Sequence, residues 1–381
     1  MTAAITRLPS HADRRAPGLL RRLLTPVIDP GVFDFWAGLL NPAWSWSRPL
    51  ARIVGRRVEA ADTVTLVLKP NAHVGGFLPG QHINVSAEVN GRKVTRSYSL
   101  TGLPTARGRR LSITVKRVDG GTLSSHLVQH AHVGDVLEIG PAFGDMVLPA
   151  RPEGRWLFLA AGSGITPLMG LTRALAAQGM PVALTLVYWA KTRAELCFMS
   201  ELRALAAREP RFQLQVVLTH ETELLPGEHS GLISLNQLQA LVPDLQAHEV
   251  SACGPGGFVE AARQITQGQV RRFQAEGFTP ATPPATADTD DAHAPAQTVQ
   301  VELARTGRTL QVSTGMSLLE ALEAQGLNPR SGCRMGVCHT CVCARHSGST
   351  LDTQTGETQS EPEMAVRLCV TRARSDLRLD L

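Results

Sequence analysis

The stretch SGCRMGVCHTC, residues 331–341, contains three of the seven cysteines of the chain. Another, Cys369, follows after twenty-seven intervening residues, and Cys343 lies two positions beyond Cys341. An odd number of cysteines does not suit a framework of disulfides, and clustered cysteines in a reducing compartment favour metal binding. The stretch therefore predicts a metal centre in the C-terminal part of the chain.

The spacing of these cysteines indicates which centre it is. C-x4-C-x2-C with one remote cysteine is the pattern of plant-type 2Fe-2S ferredoxins. Glycines in the loop let the backbone wrap closely, so that N–H groups point at the sulfurs and stabilise the reduced, more negative cluster. Structural zinc is the alternative, but zinc sites usually combine two C-x2-C pairs. The predicted ligands, which do not include Cys343, are Cys333, Cys338, Cys341 and Cys369.

The C-terminal segment around these cysteines, 298–381, is predicted to be a ferredoxin domain with an α+β (β-grasp) fold. A two-strand pattern, TVQVELARTGRTLQV, precedes a helix that we expect from Ser317, its N-cap, to about Gln325. The stretch before this C-terminal segment, 279–297, contains no Val, Ile, Leu, Met or aromatic residue that could hold it against a core. We predict a flexible linker there, spanning roughly 25 Å as a random coil.

Two further domains are expected before the linker. From 51 to 150, short alternating runs such as VTLVL (64–68) are separated by Gly, Pro and Asn turns, which is typical of a small antiparallel β-barrel. From 151 to 278, apolar strands alternate with helical segments, which predicts a parallel α/β sheet. The chain of 381 residues is therefore predicted to be multidomain.

Within the barrel, the run Arg96-Ser97-Tyr98-Ser99-Leu100 resembles the R-x-Y-S signature of the ferredoxin–NADP reductase superfamily. The resemblance implies that Arg96 pairs with a flavin pyrophosphate, that Tyr98 stacks on the isoalloxazine, and that Ser99 hydrogen-bonds near N5. Such a site needs a cation, a flat aromatic face and a donor. FAD is the implied flavin, with FMN as the alternative. The other implied flavin contacts are Ser97, Val115, Lys116, Gly121, Thr122 and Ser124.

The resemblance continues into the α/β segment. Gly162, Gly164 and Thr166 follow an apolar strand and open a helix, an arrangement that suits a nucleotide pyrophosphate. Later, Cys253-Gly254-Pro255 matches the C-G-P motif of the family. The likeness implies that Cys253 packs beside the nicotinamide ring, and that it acts in hydride transfer together with the barrel serine Ser99.

Two basic residues stand where related enzymes discriminate the adenosine 2′ position. Lys191 and Arg193 follow the second strand of the α/β segment, and basic residues there favour NADPH over NADH. The alternative is that both are solvated surface cations.

The N-terminal extension, residues 1–50, is basic and aromatic. Residues 1–57 hold nine of the arginines, although the net charge of the whole chain is only +5. A helical face of leucines within 17–28 and the following FDFWAGLLNPAWSW (33–46) form a candidate contact to the inner face of a membrane, or else pack over the barrel. Because no apolar run reaches the ~18 residues of a membrane-spanning helix, we expect a cytoplasmic protein; nucleic acid is not an expected partner.

The domain order predicts an NAD(P)H-dependent oxidoreductase. A nicotinamide gives two electrons as one hydride and an iron–sulfur cluster takes one electron at a time, so a flavin between them converts the one into the other. The N-terminal extension resembles that of reductases serving membrane-bound fatty acyl desaturases, which makes a desaturase the preferred protein acceptor. The alternatives are a soluble oxygenase or hydroxylase, and a redox-sensing iron–sulfur flavoprotein.

Overall fold

The computed structural model describes residues 29–104, 110–278, 297–332, 334–336 and 339–381. The chain divides into two compact units, Met1–Arg48 and Pro49–Leu381. The predicted leucine face within 17–28 lies outside the described residues, as do Cys333, Cys338 and the predicted linker except for Gln297. No helix in the described part of the chain is both long enough and apolar enough to span a membrane.

In the first unit, helix α1 spans Pro30–Leu40. Asp29 caps it, because its carboxylate accepts two backbone N–H groups of the first turn, and proline suits the position that follows. Asp34 of the helix accepts the backbone N–H of Trp46, which holds the segment after α1 close to it.

The second unit begins with the predicted antiparallel barrel. Its strands pair in the order β4-β3-β6-β1-β2-β5, and an isolated bridge between Leu100 and Ile113 joins the two ends of the sheet. Side chains on the inner face, such as Ile53, Leu66 and Val85, have no exposed surface, as the alternating pattern requires. The elements are β1 Leu50–Ala60, β2 Thr63–Pro70, β3 His82–Val89, β4 Arg92–Ser99, β5 Leu111–Lys116, helix α2 Thr122–Gln129 and β6 Val136–Phe143.

The α/β segment forms the predicted parallel sheet. All neighbours in the order β10-β9-β8-β7-β11-β12 are parallel, with apolar cores on both faces. This double burial explains why its strands read as unbroken apolar runs. The elements are β7 Arg155–Ala161, α3 Ile165–Ala177, β8 Ala183–Ala190, α4 Met199–Arg208, β9 Phe212–Leu218, β10 Glu228–Ser230, α5 Leu235–Leu241, β11 His248–Gly254, α6 Gly256–Thr266 and β12 Arg272–Gly277.

Close glycine contacts join the barrel to the parallel sheet. A Cβ at Gly170 of α3 would lie 2.6 Å from the carbonyl oxygen of Leu100, and one at Gly80 would lie 2.0 Å from that of Met146. Arg173 of α3 also donates to the carbonyl of Thr101 at 2.6 Å. These contacts bring the end of β4 to the edge of the parallel sheet.

The C-terminal segment is a mixed sheet with one packed helix, as predicted for a β-grasp domain. Its main sheet has the order β14-β13-β20-β15-β18, and a smaller sheet has the order β17-β16-β19. Ser317 caps the helix in a capping box with Glu320. The elements are β13 Thr298–Leu303, β14 Arg308–Ser313, α7 Leu318–Ala324, β15 Val342–Ser347, β16 Thr350–Asp352, β17 Thr358–Gln359, β18 Met364–Arg367, β19 Thr371–Ala373 and β20 Leu377–Leu379.

Candidate functional site

Strand β4 carries the residues predicted to bind the flavin. Arg96 and Tyr98 lie on one face of the strand, since side chains alternate along it. Burial and the nearby charge of Arg334 lower the pKa of Arg96, and burial raises the pKa of the Tyr98 phenol. Arg96 is nonetheless a cation at neutral pH, and Tyr98 is uncharged.

Ser99, at the end of β4, shows the clearest fit to a bound group. The residue is 3 % exposed, and among the described residues its hydroxyl has no hydrogen-bond partner. A buried polar group left unpaired costs about 1–3 kcal/mol, so such groups are rare unless a ligand satisfies them. The orphaned hydroxyl fits a flavin edge at this point of the barrel.

The start of helix α2 fits an anionic group. Its N-cap, Gly121, supplies no side-chain hydrogen bond, and its first turn contains no acidic residue. The hydroxyl of Ser124 accepts the backbone N–H of Val118, which fixes the turn before the helix. Backbone N–H groups from Thr122 onward are therefore available for a pyrophosphate.

The predicted nicotinamide residues converge at the carboxyl ends of β7 and β11. A Cβ at Gly164 would lie 2.0 Å from the carbonyl oxygen of Cys253, so only glycine fits there. Cys253 is fully buried, and burial raises the pKa of its thiol well above the ordinary value. Gly162 has a φ of +54°, and Thr166 donates to the carbonyl of Ser163 at 2.9 Å.

Two site residues were not predicted from the sequence. His82 of β3 is the direct strand partner of Ser99, and its Nε2 lies 3.2 Å from Oε2 of Glu276. Glu276 of β12 is in turn the strand partner of Cys253. The row Ser99, His82, Glu276 and Cys253 thus runs from the barrel to the parallel sheet. Only the non-local pairing of strands reveals it.

Both members of this buried pair favour their uncharged forms. Burial, with a further contribution from Asp145, raises the pKa of Glu276 to about 7. Burial lowers the pKa of His82 to about 4. Between pH 4 and 7 both side chains are therefore uncharged, so the pair buries no net charge beside Cys253.

The structure changes the interpretation of four predicted contacts. The guanidinium of Arg193 is held by Glu228 at 2.7 Å and donates to the carbonyl of Glu223 at 2.8 Å, so it is not the free cation that a 2′-phosphate would require. Lys191 is exposed. The ammonium of Lys116 forms an ion pair with Glu195. Val115 has its side chain in the barrel core, so only its backbone could contact a flavin.

The described cluster cysteines lie together. The sulfurs of Cys341 and Cys369 are 3.3 Å apart, and the backbone N–H of Gly336 donates to the sulfur of Cys369 at 3.2 Å. Gly336 has a φ of +74°, which allows the close wrapping expected of the cysteine loop (331–341). Two adjacent thiols with an N–H group aimed at one of them fit an iron–sulfur cluster. Cys343 lies in the same core, and its thiol donates to the carbonyl of Ala344 instead of facing these two sulfurs.

The cysteine loop touches the barrel beside the flavin strand. Nδ2 of Asn84, on β3, donates to Oγ1 of Thr340 at 3.0 Å. Oδ1 of the same amide accepts the hydroxyl of Ser97, on β4, at 2.5 Å. The electron exit therefore lies next to the strand that carries the flavin residues.

Fold and site together define a nicotinamide-dependent flavin oxidoreductase with a fused iron–sulfur domain. Three family models match the chain in this order: the oxidoreductase FAD-binding domain at 51–147, the oxidoreductase NAD-binding domain at 158–264, and the 2Fe-2S iron-sulfur cluster binding domain at 301–374. The chain belongs to the ferredoxin–NADP reductase superfamily, among the single-chain reductases that combine FAD, NAD(P)H and a 2Fe-2S cluster.

Known relatives extend over nearly the whole chain. An NADPH oxidoreductase of Mycobacterium tuberculosis is 35% identical over 99% of this chain and 96% of its own length. The glycine betaine monooxygenase reductase subunit of Pseudomonas aeruginosa is 28% identical over 90% of this chain and 99% of its own. The solved structure of phthalate dioxygenase reductase shares the fold with a TM-score of 0.55. It is 23% identical and covers 87% of this chain and 97% of that one.

Proposed function

We propose that this protein is the reductase component of an oxygenase system, taking hydride from NAD(P)H and delivering single electrons to an oxygen-activating enzyme. The observation that carries the proposal is the position of strand β4. Ser99 lies in the row that leads to Cys253, and Ser97, two positions earlier, connects through Asn84 to the cysteine loop. Hydride entry and electron exit would thus meet at neighbouring positions of one strand.

Each residue has a role in this scheme. FAD, when bound, accepts two electrons as a hydride and passes them on one at a time. Arg96 and the first N–H groups of α2 would hold its pyrophosphate, and the orphaned hydroxyl of Ser99 would hydrogen-bond to its ring edge. Gly164 leaves room for the nicotinamide nucleotide, and buried Cys253 would exclude water beside its ring.

A comparison of two acceptors tests the electron route. If the cluster is the electron exit, ferricyanide should still accept electrons from the flavin directly, whereas cytochrome c should require the cluster. We expect Cys369→Ser to lose cytochrome c reduction while keeping ferricyanide reduction and FAD content. Loss of both activities in a folded, FAD-loaded variant would contradict the proposed route, as would full retention of both.

Oxygenase acceptors are proposed because the relative from Pseudomonas aeruginosa is by its name a monooxygenase reductase subunit. The test is whether a purified candidate terminal oxygenase turns over only when this chain and NAD(P)H are added. Turnover with an unrelated reductase alone, and none with this chain, would count against the pairing.

A membrane-bound fatty acyl desaturase is the second candidate acceptor, because of the apolar surface around α1. Trp36 and Leu40 are 64% and 81% exposed, and Phe35 and Leu39 are more than half exposed. Exposed tryptophan and leucine beside a basic N-terminal segment suit an anionic lipid surface. We expect the full chain to float with anionic vesicles and Trp36→Asp/Leu40→Asp to stay in solution. Equal flotation of both proteins would remove the support for a membrane acceptor.

We propose NADPH as the preferred nucleotide, with Lys191 as the discriminating cation. Since Arg193 is neutralised by Glu228, exposed Lys191 is left to meet a 2′-phosphate. Lys191→Ala should raise KM for NADPH about tenfold and leave KM for NADH unchanged, since one exposed charge contact is lost. Parallel changes in both KM values would contradict this assignment.

A further inference from the structure

A chain of hydrogen bonds crosses from the flavin strand to the cysteine loop. The hydroxyl of Ser97 donates to Asn84, and the Asn84 amide donates to Thr340. Thr340 directly precedes Cys341, whose sulfur lies 3.3 Å from that of Cys369. The contact therefore reaches the cluster site itself, between residues that are 256 positions apart in the sequence.

The barrel is built to present Asn84. Strand β6 is out of register with β3 between Ile83 and Val85, so the run Gly140-Pro141 bulges opposite Asn84. A Cβ at Gly140 would lie 3.3 Å from the Cβ of Asn84, closer than most such contacts. Bulges of this kind commonly re-aim a side chain beside a functional site. Here the bulge makes room for the amide that faces the loop.

Charge alone does not hold the two parts together. Arg334 of the cysteine loop is close enough to Arg96 to lower the pKa of that guanidinium, which is a repulsion between barrel and loop. Arg334 is paired with Glu323 of α7, so part of its charge is neutralised within its own domain. Glu323 in turn attracts Arg96, so the charges across the contact oppose one another, whereas the Asn84 amide and the Thr340 hydroxyl form a direct hydrogen bond there.

We propose that Asn84 and Thr340 form a docking latch, which positions the cysteine loop for one-electron transfer from the flavin strand. The inference rests on the proposed function and deepens it. With both groups bound, flavin already reduced by NAD(P)H would supply one electron at a time and the cluster held by the cysteine loop would accept it, with no covalent bond changed at the contact. Asn84 and Thr340 are positioning residues: they touch neither substrate nor iron, and act by fixing how close the loop lies to β4.

The latch is tested with Thr340→Val, which keeps the shape and removes the hydroxyl. Thr340→Ser restores a hydroxyl, and Thr309→Val, at an exposed position of β14, is the matched control. Loss of one neutral hydrogen bond should lower the equilibrium constant for docking roughly 2- to 13-fold. We therefore expect faster amide hydrogen exchange in segments 82–89 and 339–343 for Thr340→Val, but not for Thr340→Ser or Thr309→Val.

Rapid mixing with NAD(P)H gives the second readout. Flavin bleaching should proceed at the wild-type rate in Thr340→Val, while reduction of the cluster slows by about the same factor as the exchange change. Asn84→Ala also removes the acceptor of the Ser97 hydroxyl, so it should slow cluster reduction at least as much. Adding Thr340→Val to Asn84→Ala should have little further effect, because the Asn84–Thr340 contact is already lost.

Wild-type exchange in Thr340→Val with unchanged cluster reduction would overturn the latch, and so would additive effects in the double variant. If the variant loses iron, the exchange comparison is made on cluster-free wild type and variant chains, where equal exchange again overturns it. Failure of the wild-type protein to reduce its own cluster would contradict the proposed function instead, and the exchange data would still decide the contact.

Discussion

His82 and Glu276 form a buried pair whose two pKa shifts oppose each other. The pKa of Glu276 is raised from 4.5 to about 7, so its contribution to stability is present below pH 4.5 and is lost as the pH rises through 7. The pKa of His82 is lowered from 6.5 to about 4, so its contribution is present above pH 6.5 and is lost as the pH falls through 4. Between pH 4.5 and 6.5, where both contributions change with pH, the two effects on the free energy of unfolding nearly cancel.

Replacing one member of the pair should reveal the pH dependence of the unfolding free energy that the other member contributes. Relative to wild type, the unfolding free energy of Glu276→Gln should rise with pH between 4.5 and 7, and that of His82→Gln should fall between 4 and 6.5. Each slope should approach about 1.4 kcal/mol per pH unit. Urea unfolding at stepped pH measures this. The double variant is the control and should run parallel to wild type; parallel single variants would refute the opposed shifts.

Gly164 offers a second prediction at the scale of one residue. Gly164→Ala would push a Cβ to 2.0 Å from the carbonyl of Cys253, so the two strand ends must separate, at a cost of about 1–3 kcal/mol. We expect slow flavin reduction by NAD(P)H and a lower Tm. Gly257→Ala in α6 is the control, since nothing lies within 4 Å of its Cβ, and helix propensity should raise stability by about 0.5–1 kcal/mol. A fully active Gly164→Ala would contradict the close contact.

The failures of sequence reasoning at this scale share a cause. Cys341 and Cys369 could be placed as neighbours because spacing within a loop encodes a cluster. Arg193 was assigned to a nucleotide phosphate because its partner Glu228 lies 35 positions further on, and side-chain ion pairs at that separation leave no local pattern. Glu276 and Asn84 were missed for the same reason, because the residues that each one contacts lie in a strand or loop far away in the sequence.

The type of each sheet was predicted correctly from local sequence patterns. The alternation in the barrel and the apolar runs of the parallel sheet correctly predicted both sheet types, because side-chain period and burial are local properties. The full order in which the strands pair was not predicted. Hairpins such as β3–β4 join strands that are neighbours in sequence, but β6 reaches β3 and β1 through tertiary packing. The bulge at Gly140-Pro141 belongs to this second group, and it is what aims Asn84.

Helix α7 provides a prediction at the scale of elements. Ser317 accepts the N–H of Glu320, and Glu320 accepts the N–H of Ser317 in return. The helix packs on the turn Leu368–Val370, which contains Cys369. Ser317→Ala should therefore lower stability by about 0.5–2 kcal/mol and speed the release of iron to a chelator. Ser347→Ala, at the exposed end of β15, is the control; equal iron release in both variants would show that the cap does not support the cluster turn.

At the scale of the whole molecule, a flexible linker at 279–297 would set how far the ferredoxin domain can move. Apart from Gln297, the linker lies outside the described residues. If the cysteine loop must leave β4 to meet an external acceptor, deleting half of the linker should slow acceptor reduction severalfold, because a shorter chain restricts undocked positions. Flavin reduction should be unaffected. A Gly/Ser replacement of equal length is the control and should behave as wild type, and unchanged acceptor rates in the deletion would contradict a moving domain.

The bond between Asn84 and Thr340 joins two parts of one polypeptide, and this has a kinetic consequence for the cell. Where a ferredoxin and its reductase are separate proteins, the rate of their encounter is proportional to the product of their concentrations, so it drops steeply on dilution. Here the donor and carrier are present at a fixed one-to-one ratio and at a high local concentration. The internal steps should therefore be first order, with the same turnover per molecule at any dilution, so that only the meeting with the final acceptor depends on how much protein is expressed.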